Sequence, residues 1–176
     1  MDDWREKIRS AWLKCKEDTL GKLEYLSEEN ENVKAFYDAI WEASMSAFDV
    51  PREVQVVIDR DGKCFITYGT PSFVDFQGQV PAGMKMPVWC WIHTHPFGKA
   101  YFSGTDWTTI NTWKLLMEHA VVLGGDERMY WYKTKPDTKF VRYESKIDDM
   151  DALYTSATDV IDENQRMLTE WDGSFI

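Results

Sequence analysis

His93 and His95 stand at alternate positions and are followed by Pro96, six further residues and then Ser103-Gly104-Thr105-Asp106, a pattern of the form H-x-H-P-x6-S-x-x-D. In an extended strand the side chains at i and i+2 leave the same face, so two imidazoles placed this way can reach one ion. Pro96 ends the strand, and the segment FGKAYF that follows gives the chain room to bring Asp106 back to the same point. Three nitrogen and oxygen ligands with a fourth position left to water make a catalytic zinc site, not a closed structural one. Donors of this kind also suit other divalent metals, and zinc is the best single match.

Taken singly, these residues have plainer roles. A lone histidine in an apolar strand is usually a hydrogen-bonded core residue. Ser103-x-x-Asp106 has the form of a capping box that opens a helix. Their conjunction in one short stretch is what chance supplies poorly. The two roles of Asp106 are also compatible, because a helix N-terminus orients a carboxylate and favours negative charge nearby. Water held by such an ion must lose a proton to a base, and a leaving amine must gain one. One carboxylate can do both jobs, and Glu42, Glu53, Asp59 and Asp75 all lie upstream.

The elements that must position these groups read as an α/β (α+β) chain, a central mixed sheet flanked by helices. Residues 2–27 carry Trp4, Ile8, Ala11, Trp12, Leu20, Leu23 and Leu26 at largely helical spacing, with Gly21 as a break. A second helix shows the stripe Val33, Phe36, Tyr37, Ile40, Trp41, Ala43 and stops before Pro51. Val54, Val56 and Ile58 then alternate along a strand, and Asp61-Gly62 turns it into a partner over 63–69. Residues 70–86 read as a loop. Residues 87–93 are apolar on both faces, as a central strand requires, and run straight into the histidines. Helical spacing returns from Gly104 to about His119, which would place His119 at a helix C-terminus where the macrodipole favours it. Strands follow at 120–123, 128–133 and 139–143, the last two around a turn at Lys135-Pro136-Asp137, and a closing amphipathic helix spans 148–171.

Composition limits the functions available. A chain of 176 residues, 44% hydrophobic and 15% aromatic, can bury one real core. Trp89, Trp91, Trp107 and Trp113 gather around the motif and are expected in that core, any exposed one being a substrate platform. A net charge of −10 and a pI near 4.8 argue against nucleic acid, whose binding draws on clustered Lys and Arg. Cys15, Cys64 and Cys90 are odd in number and widely spaced, which fits a reducing, cytoplasmic setting. No stretch has the apolar length of a membrane span or a signal core, so no membrane association is expected.

The pattern H-x-H-P-x6-S-x-x-D resembles the signature of the JAMM (JAB/MPN/Mov34) metallopeptidases, which include the deubiquitinases of the proteasome lid and of endosomal sorting. The resemblance implies one zinc ion on His93, His95 and Asp106, with Ser103 steadying the tetrahedral intermediate. It further implies a glutamate on an early strand as general acid/base. Glu53, in Pro51-Arg52-Glu53-Val54, stands where that family begins the strand, whereas Glu42 lies within the second helix. A JAB/MPN-like (cytidine-deaminase-like) fold is implied over residues 33–145, with an N-terminal helical extension at 1–32 and a C-terminal helix at 146–176 packing on it. Residues 124–127 leave no room for the insertion of eukaryotic deubiquitinases, so the chain is more similar to compact prokaryotic or viral members. The implied substrate is the C-terminal tail of a ubiquitin-like protein, with the 70–86 loop beside it. Another amide such as cell-wall peptide, or a metal-free MPN-like scaffold, are the alternatives. A cytidine deaminase is not among them, since H-x-E and P-C-x-x-C are missing.

Overall fold

The strand that carries the histidines, β3 (Val88–Thr94), is buried along its whole length. The structure is a computed structural model that describes residues 3–69 and 81–142. Asp75, most of the 70–86 loop and the helix expected at 148–171 lie outside the described residues.

Helices α1 (Asp3–Thr19) and α2 (Glu31–Ser46) come first, then the hairpin β1 (Val54–Ile58) and β2 (Cys64–Tyr68). After β3 come α3 (Gly104–Trp113), β4 (Met117–Leu123), β5 (Glu127–Tyr132) and β6 (Lys135–Arg142). They build a six-stranded mixed sheet in the order β2-β1-β3-β4-β5-β6. β3 and β4 are parallel, joined through α3, and every other pair is antiparallel. A parallel neighbour needs a crossover, and the metal motif supplies that connection.

Both faces of the sheet are covered, which is why β3 reads as an apolar run and why β1, whose sequence reads as alternating, is buried at every position. On one face Ile8, Trp12 and Cys15 of α1 join Val33, Phe36, Tyr37 and Ile40 of α2 over Val56, Cys90, Ile92 and Val121. On the other, Trp91, Ala120 and Val122 pack under Phe102, Ile110 and Trp113. The α1 stripe is thus part of the same core as α2, and Trp12 Nε1 donates to the Gly62 carbonyl across it at 2.7 Å. Asn30 caps α2 by accepting from the Asn32 and Val33 amides. Gly62, at φ 84°, occupies a backbone region that side chains disfavour, as the Asp61-Gly62 turn demands. Asp59 Oδ1 accepts from the Asp61 and Lys63 amides and Oδ2 from Lys85, so this carboxylate organises the hairpin and is spent there. No helix among the described residues is long and apolar enough to cross a membrane.

Two readings of the sequence are corrected. The helix expected to reach His119 stops at Trp113, and β4 begins at Met117. Leu116 and Met117 sit at helical spacing, but the Val88 amide donates to the Leu116 carbonyl at 2.7 Å and Val88 pairs with Met117, so the sheet takes them. A short apolar run satisfies either periodicity, and only the partner strand decides. His119 is accordingly no helix-terminal residue. It is fully buried in β4 against Trp89 and Tyr25, and its Nε2 accepts from the Leu26 amide at 3.2 Å. The turn expected at Lys135-Pro136-Asp137 lies instead at Lys133-Thr134, where Tyr132 pairs with Lys135. Pro136 is accommodated because β6 is an edge strand.

Burial pushes the His119 imidazole down to about 3, opposed only in part by the Trp89 backbone. A histidine neutral in the fold and titrating near 6.5 when unfolded contributes stability that is complete above that value and is lost as pH falls. Between pH 7 and 5 the wild type should lose about 2 kcal/mol more stability than His119→Gln, which keeps an acceptor for Leu26. Denaturant unfolding of both proteins at the two pH values measures this, and parallel losses would refute it.

Candidate metal centre

Alternation along β3 sends Cys90 and Ile92 to the α1/α2 face and Trp91 and His93 to the α3 face, with His95 following one residue past the strand. His95 stays in register because its amide donates to the Leu123 carbonyl at 2.9 Å. Each imidazole is walled by aromatic rings. Trp91 stacks on His93 at 4.4 Å between centroids, while Phe97 and Tyr101 flank His95 at 5.2 and 4.7 Å. The Trp91 indole is itself held, donating to Gln55 Oε1 at 2.7 Å, and Gln55 pairs with His93 in the ladder.

Asp106 arrives on the first turn of α3. Ser103 is the N-cap, its Oγ accepting from the Asp106 amide at 3.1 Å while Asp106 Oδ2 accepts from the Ser103 amide at 2.9 Å. This reciprocal box orients the carboxylate, and Oδ2 lies 3.0 Å from His93 Nε2 and 3.2 Å from His95 Nε2. The cap expected from Ser103-x-x-Asp106 and the convergence on the histidines therefore coexist.

Glu53 enters from the other side. Thr94, between the two histidines but facing away from them, accepts the Val54 amide on its Oγ1 at 2.9 Å and shares a 2.8 Å hydrogen bond with Ser44 of α2. The Ser44 hydroxyl in turn donates to the Arg52 carbonyl. That buried knot fixes the chain on both sides of Glu53, whose carboxylate is 7% exposed and reaches within 4.0 Å of His95 Nε2. Glu42 is exposed on α2 and takes no part. Trp107, 37% exposed, is the tryptophan near the motif that meets solvent, while Trp89, Trp91 and Trp113 are buried.

The electrostatics follow from burial and proximity. Against the burial that opposes its charge, His93 and His95 hold the Asp106 carboxyl far below the usual carboxylate range. Burial, aided by the Asp106 charge, pushes the Glu53 carboxyl up to about 9. Burial also lowers His95, keeping its imidazole neutral as a ligand requires.

These residues fit a divalent cation on two observations. One atom each from Glu53, His93 and His95 lies within 4.8 Å of the others, and all three residues are buried. His93 Nε2, although 3.0 Å from Asp106 Oδ2, makes no hydrogen bond of full geometry among the described residues. Such a buried orphan is costly unless a ligand engages it. Ligands about 2.0–2.1 Å from zinc at a tetrahedral angle stand about 3.3–3.4 Å apart. Asp106 Oδ2, at 3.0 and 3.2 Å from the two imidazoles, lies slightly inside that edge, whereas Glu53, at 4.0 Å from His95, lies outside it.

No family model, curated protein or solved structure matches this chain.

Zinc added to metal-stripped protein should bind at one equivalent and raise stability by about 3 kcal/mol at a free concentration a hundredfold above the dissociation constant. His93→Asn and Asp106→Asn should lose that gain, the latter retaining an acceptor for the Ser103 amide. Thermal melts with chelator-buffered zinc measure it. Loss of binding in Glu53→Gln but not in Asp106→Asn would make Glu53 the third ligand instead.

Proposed function

We propose that the chain is a JAMM-type zinc metallopeptidase that hydrolyses a peptide or isopeptide bond at the C-terminal tail of a ubiquitin-like protein. The observation that carries this reading is the meeting of Asp106 Oδ2 with both imidazoles, beside the buried carboxylate of Glu53 at 4.0 Å from His95 Nε2. The order of helix, strand hairpin, central strand, capped helix and parallel strand accords with a JAB/MPN-like fold.

His93, His95 and Asp106 would hold the ion. When bound, zinc acts as a Lewis acid that makes water acidic enough to ionise near neutral pH and polarises a carbonyl oxygen. Glu53 is the proton carrier. Its carboxylate stands at the edge of the ligand cluster, placed to take a proton from the attacking water and return it to the leaving nitrogen. Burial, and then the Asp106 charge, raise the Glu53 carboxyl, and a cation held by His93, His95 and Asp106 would offset both and favour its ionised form. Ser103 completes the site. Its cap engages a lone pair of Oγ, so the O–H can donate to the oxyanion that develops on the carbonyl. Phe97 and Tyr101 are half-buried beside His95 and narrow the approach to extended, small-residue segments.

Cleavage of ubiquitin-like fusion proteins tests the proposal. Glu53→Gln should lose about 10²–10⁴-fold in turnover with zinc still bound at one equivalent, and Ser103→Ala about 10²–10³-fold. Full activity in Glu53→Gln would remove Glu53 from the mechanism. Cleavage that survives complete chelation would remove the metal.

A further inference from the structure

The segment between the histidines and the helix cap, residues 96–102, belongs to no helix or strand, yet the site depends on its path because it delivers Ser103 and Asp106. We propose that Glu127 is the positioning residue that holds this metal loop in its ligand-delivering shape. The inference rests on the metal reading above but concerns a residue outside the motif.

Glu127 opens β5, and its side chain is 3% exposed. Its Oε2 accepts from the Ala100 amide, in the middle of the loop, at 3.0 Å. Its Oε1 accepts from Lys99 Nζ at 3.2 Å and from the Arg142 guanidinium, Nε at 3.2 Å and Nη2 closer still. One carboxylate thus ties two consecutive loop residues to the sheet edge, and Glu127 and Arg142 face each other in the β5–β6 ladder. A carboxylate buried with a backbone amide and two cations is strongly directional, so it fixes the loop at one place. Those donors outweigh burial and keep Glu127 ionised below the ordinary range.

The loop also rests on a seat that tolerates no other shape. A Cβ at Gly124 would stand 2.6 Å from the Gly98 carbonyl oxygen and 2.9 Å from the Ala100 nitrogen, both backbone atoms. The Gly125 amide donates to the same Gly98 carbonyl at 2.9 Å, and Gly98 itself turns at φ 102°. Behind the seat, Arg128 donates to the Gly124 and Glu127 carbonyls and pairs with Glu28 at 3.0 Å. The 124–127 turn is therefore rigid on its far side, and Glu127 passes that rigidity to Ala100. Outer partners that orient metal ligands typically matter at the level of ten- to hundredfold in affinity.

The experiment uses the full chain in metal-free and zinc-loaded forms. In Glu127→Ala, hydrogen exchange of the Ala100 amide in metal-free protein should accelerate at least tenfold while amides of Ile92 and Val121 keep their protection. Zinc affinity should fall about 10–100-fold, and the visible spectrum of the cobalt-substituted protein should change. Glu127→Gln, which retains an acceptor for Ala100, should recover part of both, and Gly124→Ala should mimic the loss. If Glu127→Ala does not fold, Glu127→Gln and Lys99→Met carry the same readouts with smaller changes. Unchanged Ala100 exchange, or wild-type zinc affinity and an unchanged cobalt spectrum in a folded Glu127→Ala, would overturn the proposal. Failure of the wild type to bind zinc would overturn the metal reading instead, and Ala100 exchange would still decide the clamp.

Discussion

A carboxylate and two imidazoles are buried together at the end of a strand covered on both faces, and much of the surrounding structure exists to make that tolerable. An ionised Asp106 at 1% exposure is affordable only if its charge is answered on every side. The Ser103 amide and the two histidines answer it, and the capping box aims it. The fixed N-terminus of α3 is thus at once the solution to the orphan amides of a helix and the third arm of the site.

The consequences spread through the sheet. Since the histidines leave β3 on the α3 face, the opposite face is free to anchor the backbone beside Glu53. Thr94 does this through the Val54 amide and Ser44, so the strand that presents the imidazoles also sets the backbone beside Glu53. The parallel pairing of β3 with β4 brings the 124–127 turn under the 96–102 loop, and there Gly124 and Glu127 give it a floor and a tether. The 96–102 loop lies outside regular elements and is held by its surroundings, which is how a precise site can be carried on irregular backbone.

The protonation states follow the same geometry. Two carboxylates share the neighbourhood, and their environments drive them apart: Asp106, met by imidazoles, is held ionised, while Glu53, met by burial and by Asp106, is driven toward the neutral form. A pair of acids separated in this way has one member suited to permanent ligation and one suited to moving a proton.

Much of this was legible in the sequence. The two-residue spacing of His93 and His95, the Ser103-x-x-Asp106 cap, the β1–β2 hairpin and the apolar β3 depend on local periodicity and on single-residue chemistry, which a linear chain carries openly. What the tertiary structure decided depends on partners distant in the chain. Leu116 and Met117 joined the sheet because Val88 was there to pair with them, and His119 went with them into the core instead of ending a helix. Thr94, Ser44, Gln55 and Glu127 passed as ordinary polar residues because hydrogen bonds across 27 to 50 residues leave no spacing to read. The polarity of Thr94 in β3 and of Gln55 in β1, each among apolar strand residues, was the available signal. Side-chain periodicity reports which face a residue takes, but only packing reports what that face meets.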